Sequence, residues 1–69
     1  MKFNHSKLLG LMRECGFTQE QLAKAIGINK GTLCAKLNSQ YYFTTVEIIA
    51  ICKILKIAHN DIHQYFFAM

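Results

Sequence analysis

Residues 18–38, TQEQLAKAIGINKGTLCAKLN, decide the fold, because two short helical patterns meet there at one glycine with a fixed spacing of small and apolar side chains. Thr18 opens the first pattern and Gln21 follows three residues on, so a hydroxyl and an amide can satisfy the exposed first-turn groups reciprocally. Thr18 is therefore the expected N-cap. Leu22, Ala23 and Ile26 share one face by three- and four-residue spacing, and Gly27 supplies the left-handed conformation that ends such a helix. Ile28 follows as an apolar plug, Asn29 is a second N-cap, and Leu33 with Leu37 gives the next helix an inward stripe. The small Ala23, four residues before Gly27, lets two helices cross closely. The spacing predicts helices over 18–26 and 29–37 joined by a tight turn, a helix-turn-helix.

Outward from this segment the remaining patterns are helical too. Residues 6–15 place Leu8, Leu11, Met12 and Cys15 on one side and Lys7, Arg13 and Glu14 toward water, with Gly16 as the stop. Residues 38–43 form a polar and aromatic loop. Thr44 or Thr45 caps a fourth helix, and Glu47, three residues after Thr44, completes a capping box. Val46, Ile48, Ile49, Ile51, Cys52, Ile54 and Leu55 make that helix apolar nearly all round, which predicts a central position with neighbours on several sides. Lys53 and Lys56 suit the negative end of its dipole. A short last helix is expected over residues 59–66. With 69 residues, 52% of them hydrophobic, no proline and four glycines, the expectation is one domain, 1–69, that is all-helical. A chain of this size buries only about 60% of the surface its unfolded form exposes, so every helix must contribute to one core.

Several function classes find no support in the composition. The longest apolar run, Ile48–Cys52, is far short of the roughly 20 residues a bilayer requires. The opening MKFNHSK lacks the apolar run of a secretion signal, so a cytoplasmic protein is expected. Cys15, Cys34 and Cys52 neither complete a set of disulfides nor form a paired zinc spacing, and each is expected as a reduced thiol packed like a small hydrophobe, with Cys34, on the flank of the second motif helix, as the partial exception. His59 and His63 stand four apart without a third ligand nearby, and His5 is isolated, so no metal and no other cofactor is expected. No serine, cysteine or carboxylate pair stands at catalytic spacing beside an activating histidine, which argues against an enzyme. The formal charge of +4 and pI near 9.2 suit a polyanionic partner. No acidic residue occurs between Gln21 and Val46, while Lys24, Lys30 and Lys36 fall inside that window.

Gln19, the small Ala23, the turn Gly27 and the central apolar Leu33 together resemble the Cro and phage-repressor family. The KLN of Lys36–Asn38, the aromatic group near Tyr42 and Phe43, and the ending from Ile62 to Phe67 are similar to small Cro-like prophage regulators. The resemblance implies a five-helix, lambda-repressor-like DNA-binding domain whose helices 2 and 3 form the motif, with helix 3 in the major groove of an operator. On that basis Asn29, Lys30, Gly31, Thr32 and Ala35 face bases. Lys30 is the leading guanine contact, and the methyl groups of Thr32 and Ala35 suit thymine. Thr18, Gln19, Lys36, Asn38, Gln40 and Tyr42 form the rim toward phosphate. One small domain reads few base pairs, so a homodimer on half-sites about 34 Å apart is expected. Ile62, Tyr65, Phe66 and Phe67 are the interface candidates, with closure of the chain's own core as the competing role. Neither a membrane nor a small-molecule ligand is expected as a partner.

Two positions depart from the family pattern. Lys36 stands where an apolar residue is usual, with Leu37 beside it, so the helix is rotated or Leu37 fills the place. Gly31 lies inside the presumed recognition helix, where glycine costs about 0.5–1 kcal/mol relative to alanine. That sparse surface motivates an alternative, an antitoxin-like or other protein-interaction module on the same fold.

Overall fold

The computed structural model describes residues 3–69, so the first two residues of the MKFNHSK opening lie outside the described residues. Five α-helices follow in order: α1 (Ser6–Glu14), α2 (Gln19–Ile26), α3 (Lys30–Leu37), α4 (Thr45–Leu55) and α5 (Ile62–Phe66), the last preceded by a 3-10 turn at His59–Asp61. The caps are the predicted ones. Thr18 Oγ1 accepts from the Gln21 amide at 3.1 Å while Gln21 Oε1 accepts from the Thr18 amide at 2.9 Å. Thr44 and Glu47 repeat the arrangement at 3.2 and 2.9 Å, and Asn29 Oδ1 accepts from the Thr32 amide at 2.7 Å.

The first four helices all end in one way. In each, an amide two or three residues past the helix donates to the carbonyl five residues back: Phe17 to Met12 at 2.9 Å, Ile28 to Ala23 at 3.0 Å, Gln40 to Ala35 at 2.9 Å and Ile57 to Cys52 at 2.9 Å. Such a closure needs a left-handed residue just before the returning amide. Gly27 supplies it between α2 and α3 at φ 83°, whereas Ser39 (φ 62°) and Lys56 (φ 57°) supply it after α3 and α4 without being glycine. At Lys56 the strain is of the order of 1 kcal/mol. Ser39 has a compensating contact, since its hydroxyl donates to the Phe3 carbonyl at 2.5 Å.

Leu8, Met12, Leu22, Ala23, Leu33, Leu37, Ile51, Leu55 and Phe66 form one buried cluster drawn from every α-helix. Helix α2 packs on α3 and α4, and α1 on α5. The N-terminal segment ties both ends of the chain to this body. His5 is buried with Nδ1 at 3.0 Å from the Leu37 carbonyl, and the Asn4 amide donates to the Ala68 carbonyl at 2.6 Å.

Four expectations need correction. Helix α1 stops at Glu14, and Cys15 is exposed rather than packed, because the chain already turns there. The last helix begins as a 3-10 turn and is only five residues long in its α part. Helix α4 is not enclosed on all sides: Ile51 and Leu55 are buried, but Val46 is 77% and Ile49 49% exposed. Phe66 is 2% exposed and closes the core of its own chain, with its ring edge-on to Phe43 at 5.4 Å, so it is unavailable for contact between copies.

Candidate functional site

Helix α3 starts where the Asn29 side chain caps it, and this local geometry fixes what its first turns present. Asn29, Lys30 and Gly31 are exposed, and Thr32 and Ala35 are half-buried. Leu33 and Leu37 point the other way into the core. Asn29 Oδ1 is engaged by the Thr32 amide, so only the Asn29 NH2 group is free to act outward. Gly31 has an ordinary helical backbone, and a Cβ placed there would meet only Asn29 Oδ1, at 3.5 Å. Nothing within the chain requires glycine at that position.

The face of α3 is one wall of an open trough. Asn29, Gly31, Thr32, Ala35 and Lys36 line one side, and Tyr41 with Tyr42 the other. Both tyrosines stand about two-thirds exposed, at 66% and 67%. Phe3 braces Tyr42 from behind, with the rings edge-on at 5.9 Å. The remaining rim residues are neutral. Thr18 is exposed and half its hydrogen-bonding capacity goes to the capping box, while Gln19 is half-buried and accepts the Cys34 thiol proton. Asn38 and Gln40 are exposed on the turn after α3.

Lys36 does not take the rim position expected of it. It is 8% exposed, and Nζ meets both Glu47 oxygens, at 2.5 and 2.6 Å. The position one turn after Leu33 faces inward whatever residue occupies it, so lysine lays its stem along the core and brings its charge to the start of α4. Leu37 is buried as well, so neither residue replaces the other. Burial alone would push the Glu47 carboxyl up. The Lys36 hydrogen bond, the Thr44 amide and the Lys36 charge outweigh burial and hold the carboxyl below its usual range. The acid-free window in the sequence is therefore not acid-free in space. Glu47 neutralises Lys36, and Glu20 lines the same shallow cleft as Lys30. Lys30 remains as the exposed cation on the first turn of α3.

Among the described residues, no group of three His, Cys, Asp or Glu side chains lies close enough to hold a metal ion, and no helix is long and apolar enough to cross a membrane.

A family model described as "Protein of unknown function (DUF739)" matches residues 1–69. The chain belongs to that family. Its structure is similar to the solution structure of the modulator of repression (MOR) of the temperate bacteriophage TP901-1 from Lactococcus lactis, with a TM-score of 0.80 and 34% sequence identity. The match covers 97% of this chain and 90% of the phage protein. No curated protein matches the sequence. A phage modulator of repression is thus among the proteins this chain resembles over nearly its whole length.

Proposed function

We propose that this chain is a sequence-specific, double-stranded DNA-binding regulator of phage transcription, Cro-like or repressor-like, that blocks a promoter by seating α3 in the major groove of an operator. The observation that carries the reading is the α3 surface itself. Its outward residues are small or flexible, are exposed at Asn29, Lys30 and Gly31 and half-buried at Thr32 and Ala35, and sit on the first turns of a capped helix that follows a tight glycine turn. Recognition helices of this motif contact bases from their N-terminal residues. Lys30 reaches guanine O6 and N7, Thr32 and Ala35 offer methyl groups to thymine, and Gly31 allows the helix backbone to approach the groove closely. Thr18, Gln19, Asn38, Gln40 and Tyr42 position the domain by neutral hydrogen bonds to phosphate. Two copies related by a two-fold axis would read two half-sites, with Phe67, at the end of the last helix, as the interface candidate that is exposed for that contact. A part in phage repression accords with the role named for the TP901-1 relative.

A second reading, a protein-binding regulator, is favoured by one specific feature. With Lys36 paired to Glu47, the trough is electrically quiet and walled by two exposed tyrosines, a surface that suits a protein partner better than a phosphate backbone. Selection of bound fragments from random duplex DNA by the full chain separates the two. Enrichment of one palindromic motif, with Lys30→Ala relaxing preference at one or two of its base pairs, is the expected result. Binding without enrichment, weakened equally for all sequences by salt, would leave the protein-partner reading in its place.

A further inference from the structure

We propose that the trough between α4 and α5 docks an acidic amphipathic helix of a partner protein. Val46, Ile49 and Lys53 follow a spacing of three and four residues and so lie along one face of α4, and Lys56 follows at the left-handed residue that ends the helix. The first two are the aliphatic side chains that α4 leaves to solvent, at 77% and 49%. Beside this face Ile49, Cys52, Ile57 and Ile62 floor a trough whose walls carry Lys53 and Lys56, with His59 at the end. Isolated surface aliphatics are ordinary, whereas a continuous apolar strip edged by charge marks a contact surface.

Charge selects the occupant. Among the described residues, no carboxylate lines the trough, and both flanking side chains are cationic. A second copy would bring its own Lys53 and Lys56 to the same contact, adding like charge where no carboxylate of the trough answers it. Nucleic acid would find an aliphatic floor without stacking rings. The described residues form no strand, so an extended peptide has no sheet edge to join. A helix with an apolar stripe at every third and fourth position, bordered by Asp and Glu, satisfies floor and walls together. From Ile49 to Lys56 the trough runs about 10 Å, two helical turns. The surface belongs to α4 and α5 and stands independently of the α3 reading.

The test uses the full isotope-labelled chain without DNA and two designed helical peptides that share a leucine stripe, one flanked by glutamates and the other by lysines. The acidic peptide is expected to shift the amide resonances of Ile49, Lys53, Ile57 and Ile62. The exposed double variant Lys53→Glu, Lys56→Glu should weaken that peptide about tenfold and favour the basic one. Equal binding of both peptides by the unmodified chain, or shifts confined to α3, would overturn the proposal. Sedimentation of the free chain supplies the remaining control. Self-association abolished by Ile49→Asp would make a second copy the occupant, and the proposal would fail.

Discussion

Helices α3 and α4 both break the rule that a surface helix turns apolar residues inward and charge outward, and they break it in opposite directions. Helix α3 buries a lysine; α4 exposes a valine and an isoleucine. The fold resolves the first exception itself, by swinging Glu47 from the first turn of α4 onto Lys36. It leaves the second unresolved. The difference follows from the energetics, since a buried unpaired ammonium is strongly unfavourable while an exposed aliphatic side chain forfeits only the gain of burying it. An inward exception must be answered within the chain, whereas an outward one is free to be answered by a partner. The two helices are also joined by this exchange, because the carboxylate that caps α4 is the one that neutralises α3.

The largest effect expected from breaking that comparison is at Glu47. Glu47→Ala removes a helix cap and strands the Lys36 charge, which should lower stability by about 2 kcal/mol in urea denaturation. Lys36→Met keeps the stem, frees Glu47 to serve as a cap alone, and should stay within about 1 kcal/mol of the parent. Equal losses from the two variants would mean that the pair is not the reason Lys36 is tolerated inside. Because the folded-state carboxyl lies below its usual range, its contribution is present in full above that range and is lost as pH falls through it. The acid limb of the stability profile should accordingly be shallower in a Lys36→Met, Glu47→Gln double variant.

Gly31→Ala sharpens the view of α3. A Cβ there would make only an ordinary contact with Asn29 Oδ1, so the variant should gain about 0.5–1 kcal/mol of stability while binding its target less well. A loss of stability would show that the glycine serves the fold. The smallest effect belongs to the exposed side of α4: Val46→Thr and Ile49→Thr should each change the unfolding free energy by no more than about 0.5 kcal/mol. A substantial loss at either site would place it in the core of its own chain and remove the contrast with α3.

Most of the framework was legible because its signals are local. Thr18 with Gln21, Thr44 with Glu47, Asn29 and Gly27 each declare a helix end within a few residues, and the leucines of α2 and α3 declare an inward face. The ends at Ser39 and Lys56 were not legible, since nothing in their identity announces a left-handed backbone. Ser39 adopts it beside a contact with Phe3, a residue 36 positions away. Lys36 was misread for the same reason. Its role depends on Glu47, which is distant from α3 in the chain and joins it only after α4 folds back. Tyr41 and Tyr42 could be recognised as loop aromatics, but their place opposite α3 emerges only from the turn after that helix. Phe66 looked like an interface residue because its neighbours are aromatic too, and burial alone distinguishes it from Phe67.

The central claim is that the first turns of α3 are the recognition surface. Titration of the isotope-labelled chain with a duplex recovered by selection tests it most directly. The account predicts the largest amide shifts at Lys30, Gly31, Thr32 and Ala35, with smaller ones at Gln19, Gln40 and Tyr42. Shifts concentrated on α4 and α5, with those of α3 unmoved, would contradict it.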